Sequence, residues 1–459
     1  MCGVAALKSP IAHPKFVART ASILRQLRDY ESRNVTYVDP DGTWPIVWER
    51  AEGAYVWDAE GKQYLDLTAA FGVAAAGHAN SVVVKAGQDQ MAKLLHAMGD
   101  VHPHALKAQL AQQLSQITFE RWTTKPEHAL EAARPLTGKT IFCNSGFESV
   151  EAALKTAMLT AGKYGVIAFK GGYHGLGYGT LNATHREYFR GPFGLQLKQF
   201  GNWVDYPAKP SDLAVVELQI RRFFARGWVG AILVEPVQAR GGINVPPPGF
   251  LPLLRKLCDE HKALLVLDEI YTGFGRTGKW FACEHSGVVP DIICLGKALT
   301  GGFPLSACVG RAAVMDAAWP ESQGEAIHTS TFLGHPVGCA MALAQMSEIE
   351  RLGLVERSAK LGETLLTQLA NPELETQNSK LRPAARGLGL MAGLELRHID
   401  GTPAIAESIS AIKQLLQRGY IFLPEGEHSN VISFTPPLTI AEGQLAAAVQ
   451  SLGEVLAGI

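Results

Sequence analysis

Two short apolar runs, Ala263-Leu-Leu-Val-Leu-Asp268 and Asp291-Ile-Ile-Cys-Leu-Gly-Lys297, each end on a charged side chain where the backbone would leave a sheet. Neither run alternates apolar with polar residues, which is the pattern of a strand buried on both faces. Comparable runs stand at Thr140 to Cys143, Gly165 to Phe169, Val229 to Val234 and Ala307 to Val309, with helix-like stretches between them. Strand and helix taking turns from about residue 140 to 310 predict an α/β unit with a mostly parallel central sheet. Open sheets of this kind bind ligands at the C-terminal ends of their strands, so Asp268 and Lys297 become the first candidate site residues. A lysine ammonium held among uncharged residues has a lowered pKa, and its neutral amine can attack a carbonyl to form a Schiff base. Taken alone, Lys297 reads first as a surface lysine after a buried strand.

Outward from this block the pattern changes. Gly53 to Leu67 reads as a hairpin turning at Asp58 to Gly61. Beyond residue 336 come amphipathic helices at Gly338 to Leu352 and Glu356 to Leu369, a Gly-rich hairpin-like stretch at Arg386 to Leu396, and a helix near Ile405 to Arg418. The expected division is a large domain over 80–335 and a smaller α+β domain over 336–459, which the N-terminal segment 1–79 joins to make one discontinuous unit. Asn371 to Lys380 is the expected exposed loop.

Composition narrows the partners. At 459 residues, the chain is long enough for two or three domains. Lys and Arg number 42 against 43 Asp and Glu, so no net field gathers nucleic acid or an anionic membrane. Hydrophobic residues at 47% and charged residues at 19% fit a globular chain. No segment reaches the length of uncharged apolar sequence needed to span a bilayer, and the start, broken by Lys8 and Pro10, does not read as a signal segment. The seven cysteines are scattered without a CxxC pair, which argues against disulfides or zinc and for a cytoplasmic protein. Small molecules and a second copy of the chain are the expected partners.

Two motifs point elsewhere. Ala133 to Thr140 with Leu264-Leu-Val-Leu-Asp-Glu269 resembles the phosphate loop and acidic strand of an ATPase. Its first glycine is replaced by Ala133, Pro135 lies inside it, and a strand follows where a helix is required. Gly273-Phe-Gly-Arg-Thr-Gly278 has the form of a dinucleotide fingerprint, but no acid stands near position 298 and no clear helix follows.

A constellation carries more. Asn144-Ser-Gly-Phe147 lies between a strand and the helical stretch Glu148 to Ala161, where free backbone N–H groups and the helix dipole would hold a phosphate. The competing reading is an ordinary N-cap by Ser145, with Glu148 and Glu151 in the first turn. Lys170-Gly-Gly-Tyr-His-Gly-Leu-Gly-Tyr-Gly179 offers Tyr173, with His174 beside it, in a glycine loop open to a flat ligand. A carboxylate such as Asp268 beside a ring nitrogen keeps it protonated. Phosphate cradle, stacking ring, carboxylate and lysine, in that chain order, describe a pyridoxal 5′-phosphate site.

These residues resemble the class III (omega-type) aminotransferases, of the pyridoxal-phosphate transferase fold type I. The resemblance extends from Gly53 to Glu395 and is most specific over Leu267 to Lys279 and Asp291 to Gly302. It implies a homodimeric enzyme that moves an amino group from an amine or amino acid to a 2-oxo acid by a ping-pong cycle. By resemblance, Lys297 is the Schiff-base lysine, Asp268 the partner of the ring nitrogen, and Ser145, Gly146 and Phe147 the phosphate loop. Tyr173 matches the residue on the ring face, and Gln238 falls where the family reaches the phenolic oxygen. Thr331 resembles the residue that crosses to the other subunit's phosphate. Glu235 and Arg386 match a substrate gate in which the arginine pairs with the glutamate or clamps a carboxylate, the bland alternative being a permanent ion pair. The chain departs from the pattern at Leu176, at His335 before Pro336, and at Asn80-Ser81. A racemase, epimerase or aminomutase would use the same lysine and ring, and a nucleotide-binding ATPase is the alternative of a different class.

Overall fold

The computed structural model describes residues 18–124, 136–198, 200–371 and 380–459. The N-terminal segment before Ala18, residues 133–135 of the ATPase-like stretch and nearly all of the expected loop Asn371 to Lys380 lie outside them.

Three sheets organise the described residues. The first contains β1 (Trp48–Glu52), β2 (Tyr55–Asp58) and β3 (Gln63–Asp66). The central sheet contains β4 (Gly138–Cys143), β5 (Gly165–Phe169), β6 (Gly201–Val204), β7 (Val229–Val234), β8 (Leu264–Asp268), β9 (Ile292–Leu295) and β10 (Ser306–Arg311). Its order is β4-β10-β9-β8-β7-β5-β6. Strands β5 to β9 pair in parallel, and β10 runs antiparallel to both β9 and β4. The mostly parallel α/β sheet expected from the apolar runs is therefore present.

The lack of alternation in those runs follows from burial on both faces. Val166, Leu233, Val266 and Cys294 pack with Val150, Ala153 and Leu154 of the helix Gly146–Ala161. Their neighbours Ile167, Ile232, Leu265 and Ile293 point the other way, into a core shared with the helices Leu213–Phe224 and Phe250–His261.

The third sheet holds β11 (Leu381–Leu388), β12 (Met391–His398), β14 (Leu423–Glu425) and β15 (Val431–Phe434), all antiparallel. Between them in sequence, β13 (Tyr420–Ile421) leaves this group and pairs in parallel with β3, Tyr420 opposite Leu65. The expected C-terminal helices are present at Pro336–Arg351, Leu354–Leu369 and Ile405–Gln417.

Both decoy motifs have structural explanations. Gly138, Lys139 and Thr140 are in strand β4, so no helix follows to receive a phosphate. The Gly273–Gly278 loop is a packing turn. Its fully buried Arg276 donates from Nη1 to the carbonyls of Leu390 (2.9 Å) and Pro436 (2.6 Å), joining the central sheet to the C-terminal region.

Candidate active site

Strands β5, β7, β8 and β9 deliver their C-terminal ends to one side of the sheet, and a cavity of about 350 Å³ opens there. Gly146, Phe147, Tyr173, His174, Leu176, Glu235, Arg240, Asp268, Tyr271 and Lys297 are among the residues that surround it. A larger cavity of about 640 Å³ lies along Ala21 to Gly42 and contains none of the residues singled out in the sequence.

Lys297 follows β9 with a left-handed φ of 45°, a conformation that strains a residue carrying a side chain. Its ammonium sits 4.3 Å from the centre of the Tyr271 ring and has no hydrogen-bond partner among the described residues. Burial lowers its pKa, although the carboxylates of Asp268, Glu235 and Glu425 work in the opposite direction.

Asp268, at the end of β8, is buried. Its Oδ2 lies 2.8 Å from Nδ1 of the buried His174, and its Oδ1 accepts from the Ile270 amide at 3.2 Å. Burial alone would discharge His174, but the hydrogen bond and charge of Asp268, with Glu235, outweigh it and raise the imidazole pKa. Glu235 directly follows β7 and accepts backbone N–H bonds from Tyr173 (2.9 Å) and Ala239 (3.1 Å). Burial pushes its pKa up to about 7, with His174 pulling the other way.

The helix beginning at Gly146 presents its N-terminus to the same cavity. Ser145 occupies the N-cap position, yet its buried hydroxyl has no hydrogen-bond partner. Glu148 instead takes the amides of Asn144 (2.7 Å) and Ser145 (2.8 Å). Glu151 accepts from Gly179 (2.8 Å) and Thr180 (3.0 Å), tying down the glycine loop. An orphaned hydroxyl and first-turn amides beside a cavity fit a phosphate better than a completed cap. Tyr173 flanks the cavity and Asp268 faces into it, so the residues present fit a phosphorylated aromatic ring with a basic nitrogen.

Four expected residues stand outside the cavity lining, Ser145 at the N-cap one residue before Gly146 and three others. Gln238 does not line the cavity, because its amide is used at both ends: Nε2 donates to the Lys170 carbonyl (2.8 Å) and Oε1 accepts from Asn244 (3.0 Å). Thr331 is exposed on the segment before the helix Pro336–Arg351 and does not line the cavity either. Arg386 and Glu235 are not paired. Arg386 Nη1 is 2.6 Å from Glu395 Oε2, while its Nε and Nη2 donate to the carbonyls of Gly242 and Ile243. Conversely, Arg240, Tyr271 and Ile270 surround the cavity without having been singled out. Tyr271 had a signal, since it lies three residues past Asp268 on the same strand end. Of the departures, Leu176 lines the cavity, while Asn80 and His335 cap helices, accepting from the amides of Val82 and Val337.

The chain as a whole is similar to known proteins. The model of the family "Aminotransferase class-III" matches residues 37–456. Putrescine aminotransferase of Pectobacterium atrosepticum is 37% identical over 418 residues, covering 90% of this chain and 82% of the relative. Acetylornithine aminotransferase of Methanopyrus kandleri is 37% identical over 413 residues, covering 90% and 95%. An amine transaminase from an uncultivated Pseudomonas species, solved in its PLP-bound form, superposes with a TM-score of 0.82 at 28% identity, covering 93% of this chain and 98% of that one.

Proposed function

Since this chain belongs to the class III aminotransferases and so works with pyridoxal 5′-phosphate on amino and oxo substrates, we propose that the cavity around Lys297 is where the cofactor is held and the amino group transferred. The observation that carries this is the convergence of the desolvated Lys297 amine, the buried Asp268–His174 pair and the open helix N-terminus at Gly146 on one cavity. Pyridoxal phosphate supplies an electron-withdrawing ring that carries the amino group between the two substrates. Ser145, Gly146 and Phe147 bind its phosphate, Tyr173 covers the ring face, and Asp268, oriented by His174, keeps the ring nitrogen protonated. Lys297 Nζ would anchor the cofactor and then serve as base and acid of the 1,3-proton shift, taking the proton from the substrate's Cα and delivering it on the cofactor side rather than back to Cα, a role as base that its lowered pKa favours.

The donor class we infer is an aliphatic amine or amino acid, in line with the names of the relatives, and the acceptor is a 2-oxo acid. The chain would work as a homodimer, with Thr331 reaching the partner's phosphate. Six buried cysteines unpaired with one another suit a reducing compartment, and we assign the enzyme to the cytoplasm. Among the described residues no helix is long and apolar enough to cross a membrane. We divide the chain into the unit 80–335 and a smaller one of 1–79 with 336–459, on the strength of β13 pairing with β3.

The test is spectroscopic. Protein given pyridoxal phosphate should gain a visible band that borohydride fixes covalently, and Lys297→Ala should lose that covalent fixation along with transamination by about 10²-fold or more. A Lys297→Ala protein still fixed by borohydride would sink the assignment.

A further inference from the structure

Two arginines lie near the Lys297 cavity, and their states differ. Arg386 has its guanidinium committed to Glu395 and to the carbonyls of Gly242 and Ile243. It belongs to a separate cavity, one shared with Glu395, Arg397 and His428. Arg240 borders the Lys297 cavity itself, and its guanidinium carbon stands 5.6 Å from the centre of the Tyr173 ring. No hydrogen bond of the described residues uses the Arg240 side chain, and its Nε is buried without a partner. The nearest carboxylate is Glu425, at the end of β14, with Oε2 3.4 Å from Nε but outside hydrogen-bonding geometry.

Glu425 is itself buried, 4% exposed, with no hydrogen bond to its carboxylate among the described residues. Burial pushes its pKa up to about 7, against the pull of Arg240, Arg186 and Lys297. The neighbouring Arg186 turns its Nη2 to the carbonyl of Gly426. A planar fork with unspent donors beside a reactive amine is built to receive a carboxylate in bidentate fashion. A buried acid that meets the guanidinium only as a 3.4 Å ion pair at Nε, without an aligned hydrogen bond, leaves the rest of that fork to a competitor.

We propose that Arg240 is the anchor for the carboxylate of the 2-oxo acid and amino acid substrates, and that Glu425 is the positioning residue that holds Arg240 toward the cavity and competes with the substrate for it. This rests on the reading of the Lys297 cavity as the cofactor site. Arg240 thereby takes the carboxylate-clamping part expected of Arg386. An amine without a carboxylate leaves Arg240 to Glu425, while an acid draws it away.

The experiment compares two acceptors on the cofactor-loaded enzyme in its amino form: pyruvate, which carries the carboxylate, and butanal, which lacks it. In Arg240→Gln the ratio of kcat/KM for pyruvate over butanal should fall about thirtyfold or more, the loss expected when one partner of a desolvated charge pair is removed. Arg240→Lys, which keeps charge and most packing but loses the fork, should fall part of the way and serves if the glutamine variant folds poorly. Glu425→Gln removes the competitor, so its KM for pyruvate should drop several-fold, whereas a merely structural role would weaken both acceptors alike. An unchanged ratio in the Arg240 variants, or a selective loss of pyruvate in Arg386→Gln instead, overturns the proposal. Failure of the underlying reading is separate, because it would show as a missing visible band in the wild-type protein.

Discussion

Lys297 pays for its reactivity in stability. Its φ of 45° and its unpartnered ammonium are both unfavourable in the protein without cofactor. Lys297→Met keeps the length of the side chain and removes the charge, so the cofactor-free protein should be more stable by about 1–2 kcal/mol in urea titration. Because the folded pKa lies below the ordinary 10.5, stability rises with pH between those two values. The gain from Lys297→Met should therefore be largest near neutral pH and shrink as pH climbs toward 10.5. His174 behaves oppositely. Its raised folded pKa stabilises the protein fully below the ordinary 6.5, and that contribution is lost as pH rises through the folded value. His174→Gln should cost on the order of 3 kcal/mol at pH 6 and less at pH 9, a difference that paired denaturation curves would reveal. Of the residues meeting at the cavity, Lys297, Asp268, Tyr173 and the turn before Phe147 were legible because each follows a recognisable strand. Glu425, which stands behind Arg240 rather than in the cavity lining, was not legible, since it reaches Arg240 only through the folding of a distant strand. Gln238 and Arg386 stand outside the cavity lining, with donors held by neighbouring backbone carbonyls in a way the sequence does not reveal.

Elements were readable where one burial pattern held throughout. Strands β5 and β7 match their apolar runs residue for residue, since every position in them is buried. Strand β1, Trp-Glu-Arg-Ala-Glu, went unread because its residues are almost all exposed and it is held by pairing with β2. The edge strand β6 is only four residues long and begins with Gly201, which gives little pattern to read. The Gly273–Gly278 loop was recognised as a motif, but its cause is packing. Gly278 has φ of 86°, and a Cβ there would lie 2.8 Å from the Ala359 backbone. Gly278→Ala should destabilise the protein by at least about 2 kcal/mol in thermal or urea unfolding, and bound cofactor should not restore the loss in full. A variant as stable as the parent would show that the helix Leu354–Leu369 moves aside at no cost.

At the scale of the whole molecule, one surface is conspicuously apolar. Leu95, Met98 and Val101 are each more than half exposed, as are Ile327 and Phe332, and Thr329 links the two segments by a 2.8 Å hydrogen bond to Asp100. A patch of this kind suits a second copy of the chain. The proposed homodimer should sediment at twice the mass of one chain, and Met98→Asp should shift it toward the monomer and weaken cofactor retention. A parent protein that sediments as a monomer at micromolar concentration would rule the dimer out. Finally, the pairing of β13 with β3 bears on how the chain comes into being. Leu65 meets Tyr420, so the hairpin of β2 and β3 waits for about 350 further residues of synthesis before its sheet can close. Until then its edge is open to any passing strand, and the central α/β unit has time to fold first. Synthesis halted before Tyr420 should therefore leave a nascent chain that binds chaperones at the hairpin of β2 and β3 rather than at its growing end.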